Sequence, residues 1–122
     1  MFRPVHFEIP VMDPPRAITF YSGLFRWQFE RMEGSQPYWL IRTGEGPGID
    51  GALMIHPGVG KLGTVFMVEV PDVDEYSTLA QKEGGLIVLP KMTFPGVGWV
   101  AYCVDPEGNT FGMLQREILP TM

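Results

Sequence analysis

The sequence predicts an α+β fold made of two successive βαβββ modules. Three observations predict it. The order strand, helix, three strands can be read twice along the chain, and an Asp stands at the start of each helix. Matching positions in the two halves lie a nearly constant 59 to 61 residues apart: Asp13 with Asp72, Gly51 with Gly112 and Tyr38 with Trp99.

Residues 4–11 (PVHFEIPV) alternate as a half-buried strand does, with His6, Glu8 and Pro10 on one face and Val5, Phe7, Ile9 and Val11 on the other. Asp13 stands at a helix N-cap, and Pro14-Pro15 is tolerated in a first turn. Ala17, Phe20, Tyr21 and Leu24 follow at i, i+3, i+4 and i+7, the stripe of a half-buried helix. Strands are expected at 27–32, 38–42 and 52–56, separated by turns bearing Gly and Pro. In the second half a strand is expected at 64–70. A helix carrying Val73, Tyr76, Leu79 and Ala80 follows, stopped by Gly84-Gly85, and further strands are expected at 86–92, 97–104 and 110–115. DPEGN (105–109) between the last two is a reverse-turn signal. HPGVGKLG (56–63) is a short connector with no linker composition. The expectation is therefore one domain over residues 1–122, with module one at about 1–57, the connector at about 58–63 and module two at about 64–118.

A chain of 122 residues that is 45% hydrophobic and 19% charged can bury a core without disulfides. Cys103 is its single cysteine, which suits a reducing compartment. No apolar run is long enough to span a bilayer, and Pro4, His6 and Glu8 interrupt the place of a signal peptide, so a cytoplasmic protein is expected. The net charge of −5 repels phosphate backbones, so nucleic acid is not an expected partner, whereas it suits a cationic guest. GVGKLG and GEGPG lack the context of a phosphate loop, and GxSxG, HExxH and CxxC do not occur.

HFEIPVMDPPRAITFYSGLFRWQFE, VEVPDVDEYSTLAQKEGG and VDPEGNTFGMLQ together resemble the vicinal-oxygen-chelate (glyoxalase/bleomycin-resistance/dioxygenase) superfamily. The resemblance spans nearly the whole chain. It implies that the paired modules form a cupped, incomplete mixed β-barrel whose concave face is the site, and that the protein is a homodimer. It also implies one divalent metal held by a side chain from the first and last strand of each module. Only His6 matches such a position here; the other three fall on Val65, Gly51 and Gly112, which offer no donor. No metal and no other cofactor is therefore expected. A slip in the Gly-rich stretch 46–52 would bring Asp50 into play, and a rearranged set of His6, Glu8, Glu69 and His56 is the other route to a metal.

His6, Glu8, Tyr38, Phe66, Met67, Glu69, Trp99 and Tyr102 are the candidate pocket residues. For His6 the alternatives are a pocket acid–base group and a structural histidine satisfied by Glu8 or Glu69. Trp27, Trp39 and Trp99 suit either stacking on a flat ligand or core packing. Met54, Met67, Met92 and Met113 suit an adaptable cavity or core filling. Cys103 reads as a buried, inert thiol. The expected function is metal-free binding of a small organic molecule, for sequestration or sensing. The alternative is a metal-dependent lyase, isomerase or dioxygenase acting on a substrate with vicinal oxygens. No catalytic residue is assigned.

Overall fold

The computed structural model describes residues 2–34, 36–56, 63–94 and 98–117. Its elements run β1 (Pro4–Val11), α1 (Pro14–Phe25), β2 (Gln28–Arg31), β3 (Tyr38–Arg42), β4 (Gly51–Ile55), β5 (Val65–Glu69), α2 (Val73–Lys82), β6 (Leu86–Phe94), β7 (Gly98–Val104) and β8 (Thr110–Arg116). The βαβββ order thus occurs twice, as the sequence predicts. Residues 58–62 of the expected connector (about 58–63) and the expected strand start at Val97 lie outside the described residues. The chain divides into two compact units, Val5–Val65 and the part after Val65 joined by the residues before Val5.

In the first unit the strands lie in the order β2-β3-β4-β1. β1 and β4 are parallel, and the other neighbours are antiparallel. α1 starts where Asp13 accepts the Arg16 N–H at 3.2 Å, with Pro14 and Pro15 in positions whose N–H groups would have no helical partner. It ends at Arg26, which takes a left-handed conformation (φ 61°) and donates its N–H to Ser22 O. The expected buried stripe on α1 needs correction. Ala17 and Tyr21 are half-buried, but Phe20 and Leu24 face outward, and no residue of this helix is fully buried. The reason is the local aromatic cluster. Tyr21 stacks on Trp27 (5.2 Å between centroids), and Trp27 sits 5.8 Å from Phe7 of β1. That contact turns Tyr21 towards the sheet, while Phe20 and Leu24, further round the helix, stay exposed.

Register assigns the two faces of this sheet. Glu8 pairs with Ala52, Ala52 with Leu40 and Met54 with Tyr38, so these residues share the face away from α1, together with His6. Phe7, Gly51, Leu53, Trp39 and Ile41 share the α1 face, where Leu53 and Ile41 form the buried centre. Each fully buried aliphatic side chain of this kind contributes about 1.5–3 kcal/mol.

The second unit orders its strands β5-β8-β7-β6, with β5 and β8 parallel. Asp72 caps α2 by accepting the Glu75 N–H at 3.0 Å, an interaction typically worth about 1 kcal/mol. Asp74 and Glu75 in the first turn and Lys82 in the last complement the helix dipole. Beyond the helix, Gly84 takes φ 103°, a conformation that glycine adopts without strain. Val73 donates its N–H to Gln115 Oε1 at 2.9 Å, tying the start of α2 to β8. Val70, Val73, Ala101, Cys103 and Met113 form the core under α2, with Val68, Tyr76, Ala80, Ile87 and Phe111 packed against it.

Candidate functional site

Within the first unit, β1, β4 and β3 bring Glu8, Tyr38 and Met54 to the helix-free face. Glu8 is buried, and the Tyr38 hydroxyl donates to its Oε2 at 3.4 Å, a long hydrogen bond. Burial first, then the Glu8 charge and this hydrogen bond, push the Tyr38 phenol well above its ordinary range. The phenol therefore stays a donor at any physiological pH. His6 lies two residues from Glu8 on the same strand face and is half-buried.

Within the second unit, Met67, Gly112 and Tyr102 lie side by side across β5, β8 and β7 on the face away from α2. All three are buried. Glu69 stands on the same face of β5 and is already paired, its Oε2 lying 3.1 Å from Arg116 Nε.

Two candidate residues fall elsewhere. Phe66 alternates with Met67, is exposed, and stacks on Phe111, which packs against the core under α2. Trp99 has the parity of Ala101 and Cys103. Its ring lies 5.9 Å from Lys91 Nζ, and Lys91 pairs with Asp74 of α2 at 2.8 Å. The expected equivalence of Tyr38 with Trp99 is corrected accordingly. Glu8 pairs with Ala52, and Met67 with Gly112, so Ala52 rather than Gly51 is the counterpart of Gly112, and Val100 rather than Trp99 that of Tyr38. A shift of one residue moves a side chain to the other face of its sheet. Gly51 lies beneath Phe7, where an added Cβ would come within 2.6 Å of the Phe7 carbonyl oxygen. Trp27 and Trp39 are also packing residues, the latter under the Arg31 guanidinium at 4.9 Å.

The metal set implied by the resemblance does not fit these residues. Beside His6, the corrected positions hold Ala52, Val65 and Gly112. At Gly112 a Cβ alone would lie 2.6 Å from Met67 Cε and 3.4 Å from Tyr102 Cε1, so the space of a carboxylate is filled by Met67. Asp50 does not supply a substitute. Its Oδ1 accepts from the Thr43 N–H at 2.9 Å and the Thr43 hydroxyl at 3.0 Å, closing the loop before β4. Among the described residues, no three His, Cys, Asp or Glu side chains gather as a metal site. A cleft of about 500 Å³ beside that loop, lined by Arg26, Arg42 and Asp50 among others, contains none of the candidate pocket residues.

The Glu8–Tyr38 pair was legible only in part. The alternation of β1 puts Glu8 on the right face, but its partner lies 30 positions away and depends on the order β3-β4-β1.

No family model matches the chain. A glyoxylase-like domain-containing protein of Didymella fabae is 30% identical to it over 115 residues, covering 89% of this chain and 90% of that relative. Among solved structures, methylmalonyl-CoA epimerase from Mycobacterium tuberculosis superposes with a TM-score of 0.71 at 15% identity, covering 94% of this chain and 88% of the other. A glyoxalase/bleomycin resistance protein/dioxygenase superfamily member from Vibrio splendidus gives 0.66 at 14% identity, covering 96% and 100%. At these identities the two structures speak for the fold alone. The sequence relative reaches further: the chain belongs to the glyoxalase-like proteins of the vicinal-oxygen-chelate superfamily.

Proposed function

We propose that this protein is a metal-free small-molecule-binding module that sequesters or senses an organic cation. The observation that carries the reading is the Glu8 carboxylate, buried on the helix-free face of the first unit beside the Tyr38 hydroxyl. A carboxylate on this face can add, to the partners it already has, a ligand that brings positive charge or hydrogen-bond donors. Tyr38 remains protonated and orients one carboxylate oxygen. The donor-free positions Ala52, Val65 and Gly112 argue against a metal polarising a substrate oxygen. In this reading Met54 supplies an adaptable apolar wall beside Tyr38. We also infer a cytoplasmic homodimer. The buried free thiol of Cys103 supports a reducing compartment, and among the described residues no helix is long and apolar enough to cross a membrane.

The test is calorimetric titration with benzyltrimethylammonium, together with elemental analysis of protein purified without chelator. Saturable binding that is lost in Glu8→Gln, with metal well below stoichiometric, is the expected result. Stoichiometric metal that disappears in His6→Ala would overturn the proposal in favour of a metal-dependent lyase, isomerase or dioxygenase. Binding unchanged in Glu8→Gln would remove Glu8 from the site.

A further inference from the structure

The cleft beside the loop 43–50 is built entirely within the first unit, where the end of α1 meets the outer edge formed by β2 and β3. Besides Gly44, its lining consists of Arg26, Gln28, Arg42, Thr43, Glu45 and Asp50. None of these side chains is apolar, whereas a small-molecule site is ordinarily walled by hydrophobic and aromatic groups. An occupant of this space must therefore bring charge and hydrogen-bonding groups of its own. Glu8 and Tyr38 do not border it.

Charges of both signs line the cleft without pairing across it. Arg42 donates one N–H to Glu30, outside the lining, at 2.9 Å, and a guanidinium carries five N–H donors in all. Among the described residues, Arg26 forms no ion pair, and neither do Glu45 and Asp50. Asp50 uses its Oδ1 for the Thr43 N–H and hydroxyl, which fixes the loop that carries it. Gln28 lies directly opposite Arg42 across the β2–β3 ladder and adds an amide to the cationic wall.

Arg26 itself stands where glycine would be easier. It takes φ 61° just past α1, a place that helices commonly give to glycine. Among the described residues every other positive-φ position holds glycine, Gly44, Gly46 and Gly48 of the adjoining loop included. At this one position the chain keeps an arginine against local preference, and that arginine lines the cleft.

We propose that this cleft is a second binding site, for a small zwitterion of the amino-acid or dipeptide class, its carboxylate against Arg26 and Arg42 and its ammonium against Glu45 and Asp50. Guanidinium groups suit a carboxylate, which they can grip with two parallel hydrogen bonds. A simple ion of either sign would meet as much repulsion as attraction, because Arg26 and Arg42 are balanced by Glu45 and Asp50. A molecule bearing both charges finds a complement for each. The volume of about 500 Å³ lies within the range of roughly 300–1,000 Å³ usual for small-molecule sites. All of the lining side chains are at least partly exposed, so binding is expected to be weak and sensitive to salt.

An NMR titration of the full chain with L-alanyl-L-alanine, followed at the backbone amides, tests this. Saturable shifts confined to residues 26–30 and 42–51 are expected, with affinity falling several-fold as salt rises from about 0.02 to 0.2 M. The N-acetylated dipeptide, which lacks the ammonium, and the dipeptide amide, which lacks the carboxylate, should each bind about fivefold more weakly. Arg26→Gly is expected to weaken binding about fivefold while raising the Tm by roughly 2–4 °C, because glycine suits the backbone there. That opposite movement separates a ligand contact from a structural role. Lys82→Gln, which removes a cation from the exposed end of α2, is expected to change nothing. Shifts that are absent, do not saturate or centre on Glu8 and Tyr38 overturn the proposal. So do blocked peptides that bind as well as the free one, an Arg26→Gly chain that binds normally or melts lower, and a Lys82→Gln chain that binds as weakly as Arg26→Gly. None of these results bears on the cation reading of Glu8, which its own titration decides.

Discussion

Gly112 offers a direct measure of whether the second unit has given its ligand position over to packing. Gly112→Ala would place a Cβ 2.6 Å from Met67 Cε and 3.1 Å from Met67 Cγ. Met67 is itself buried, so its thioether must swing into occupied space. Overpacking of this kind costs about 1–3 kcal/mol, offset by the roughly 0.5–1 kcal/mol that alanine gains over glycine in a strand. A net loss of about 1–2 kcal/mol is expected. Met67→Ala alone should cost about 2–5 kcal/mol as a truncated core side chain. In the double variant the new methyl enters the space that Met67 vacates, so the combined loss should fall short of the sum by about 1–2 kcal/mol. Urea unfolding of the four proteins measures this cycle directly. Losses that add to within about 0.5 kcal/mol would refute the reasoning and reopen Gly112 as vacant space beside which a ligand could reach. The control is Gly51→Ala with Phe7→Ala. There the obstacle includes the Phe7 carbonyl oxygen, which belongs to the β1–β4 ladder and cannot be removed with the ring, so rescue should be small.

Three other outcomes follow from the side chains already described. Tyr38 holds its proton in the folded chain past the pH of about 10 at which an unfolded tyrosine releases it. Its contribution is complete below that pH and is lost as pH rises through the folded value, at up to about 1.4 kcal/mol per pH unit, so Tyr38→Phe should lose stability less steeply between pH 10 and 11 in urea titrations. Burial pushes the Cys103 thiol up and shields it; Ellman's reagent should therefore react only as fast as the protein unfolds, and prompt labelling of the folded chain would contradict its burial. The Asp105 carboxyl is held below the usual range, chiefly by the Asn109 backbone N–H, then by the Asn109 side chain. Its stabilisation is present above the ordinary carboxylate range and disappears as pH falls through the lowered value, so Asp105→Ala should show a shallower acid-side decline in urea midpoint than the parent chain.

Elements that rest on local chemistry were readable from the residues, and those that rest on register were not. Asp13 and Asp72 each accept an N–H three residues ahead, a bond defined within one turn, so both helix starts could be placed. The alternation of β1 likewise assigns His6 and Glu8 to one face without knowledge of any neighbour. The counterpart of Gly112 depends instead on how β4 lies along β1, after a loop of eight residues (43–50) where the second module has five (105–109). A glycine-for-glycine match was one residue out, and that single step carried Trp99 from the expected pocket to the α2 face. The outward turn of Phe20 was hidden for a related reason. Helical spacing offers Ala17, Phe20, Tyr21 and Leu24 as one stripe, whereas Trp27, two residues beyond the helix, decides which edge of that stripe faces inward.

The strand order has a consequence for how the chain comes to be folded. In each unit the first strand finds its in-unit neighbour only in the last, β1 with β4 and β5 with β8. Hairpins β2–β3 and β6–β7 can close as soon as they are made, but each opening strand must wait some 45 residues of synthesis for its ladder. Contacts so far apart in sequence slow folding, because loop closure is lost before any bond is regained. β5 (VFMVE) is the more exposed to mispairing in that interval, being rich in apolar residues with one charge at its end. Deleting Thr110–Arg116 would make the wait permanent, leaving β5 without its β8 ladder and α2 without the Gln115 bond at its start. The closing strand of each module is thus the one whose arrival commits the other three.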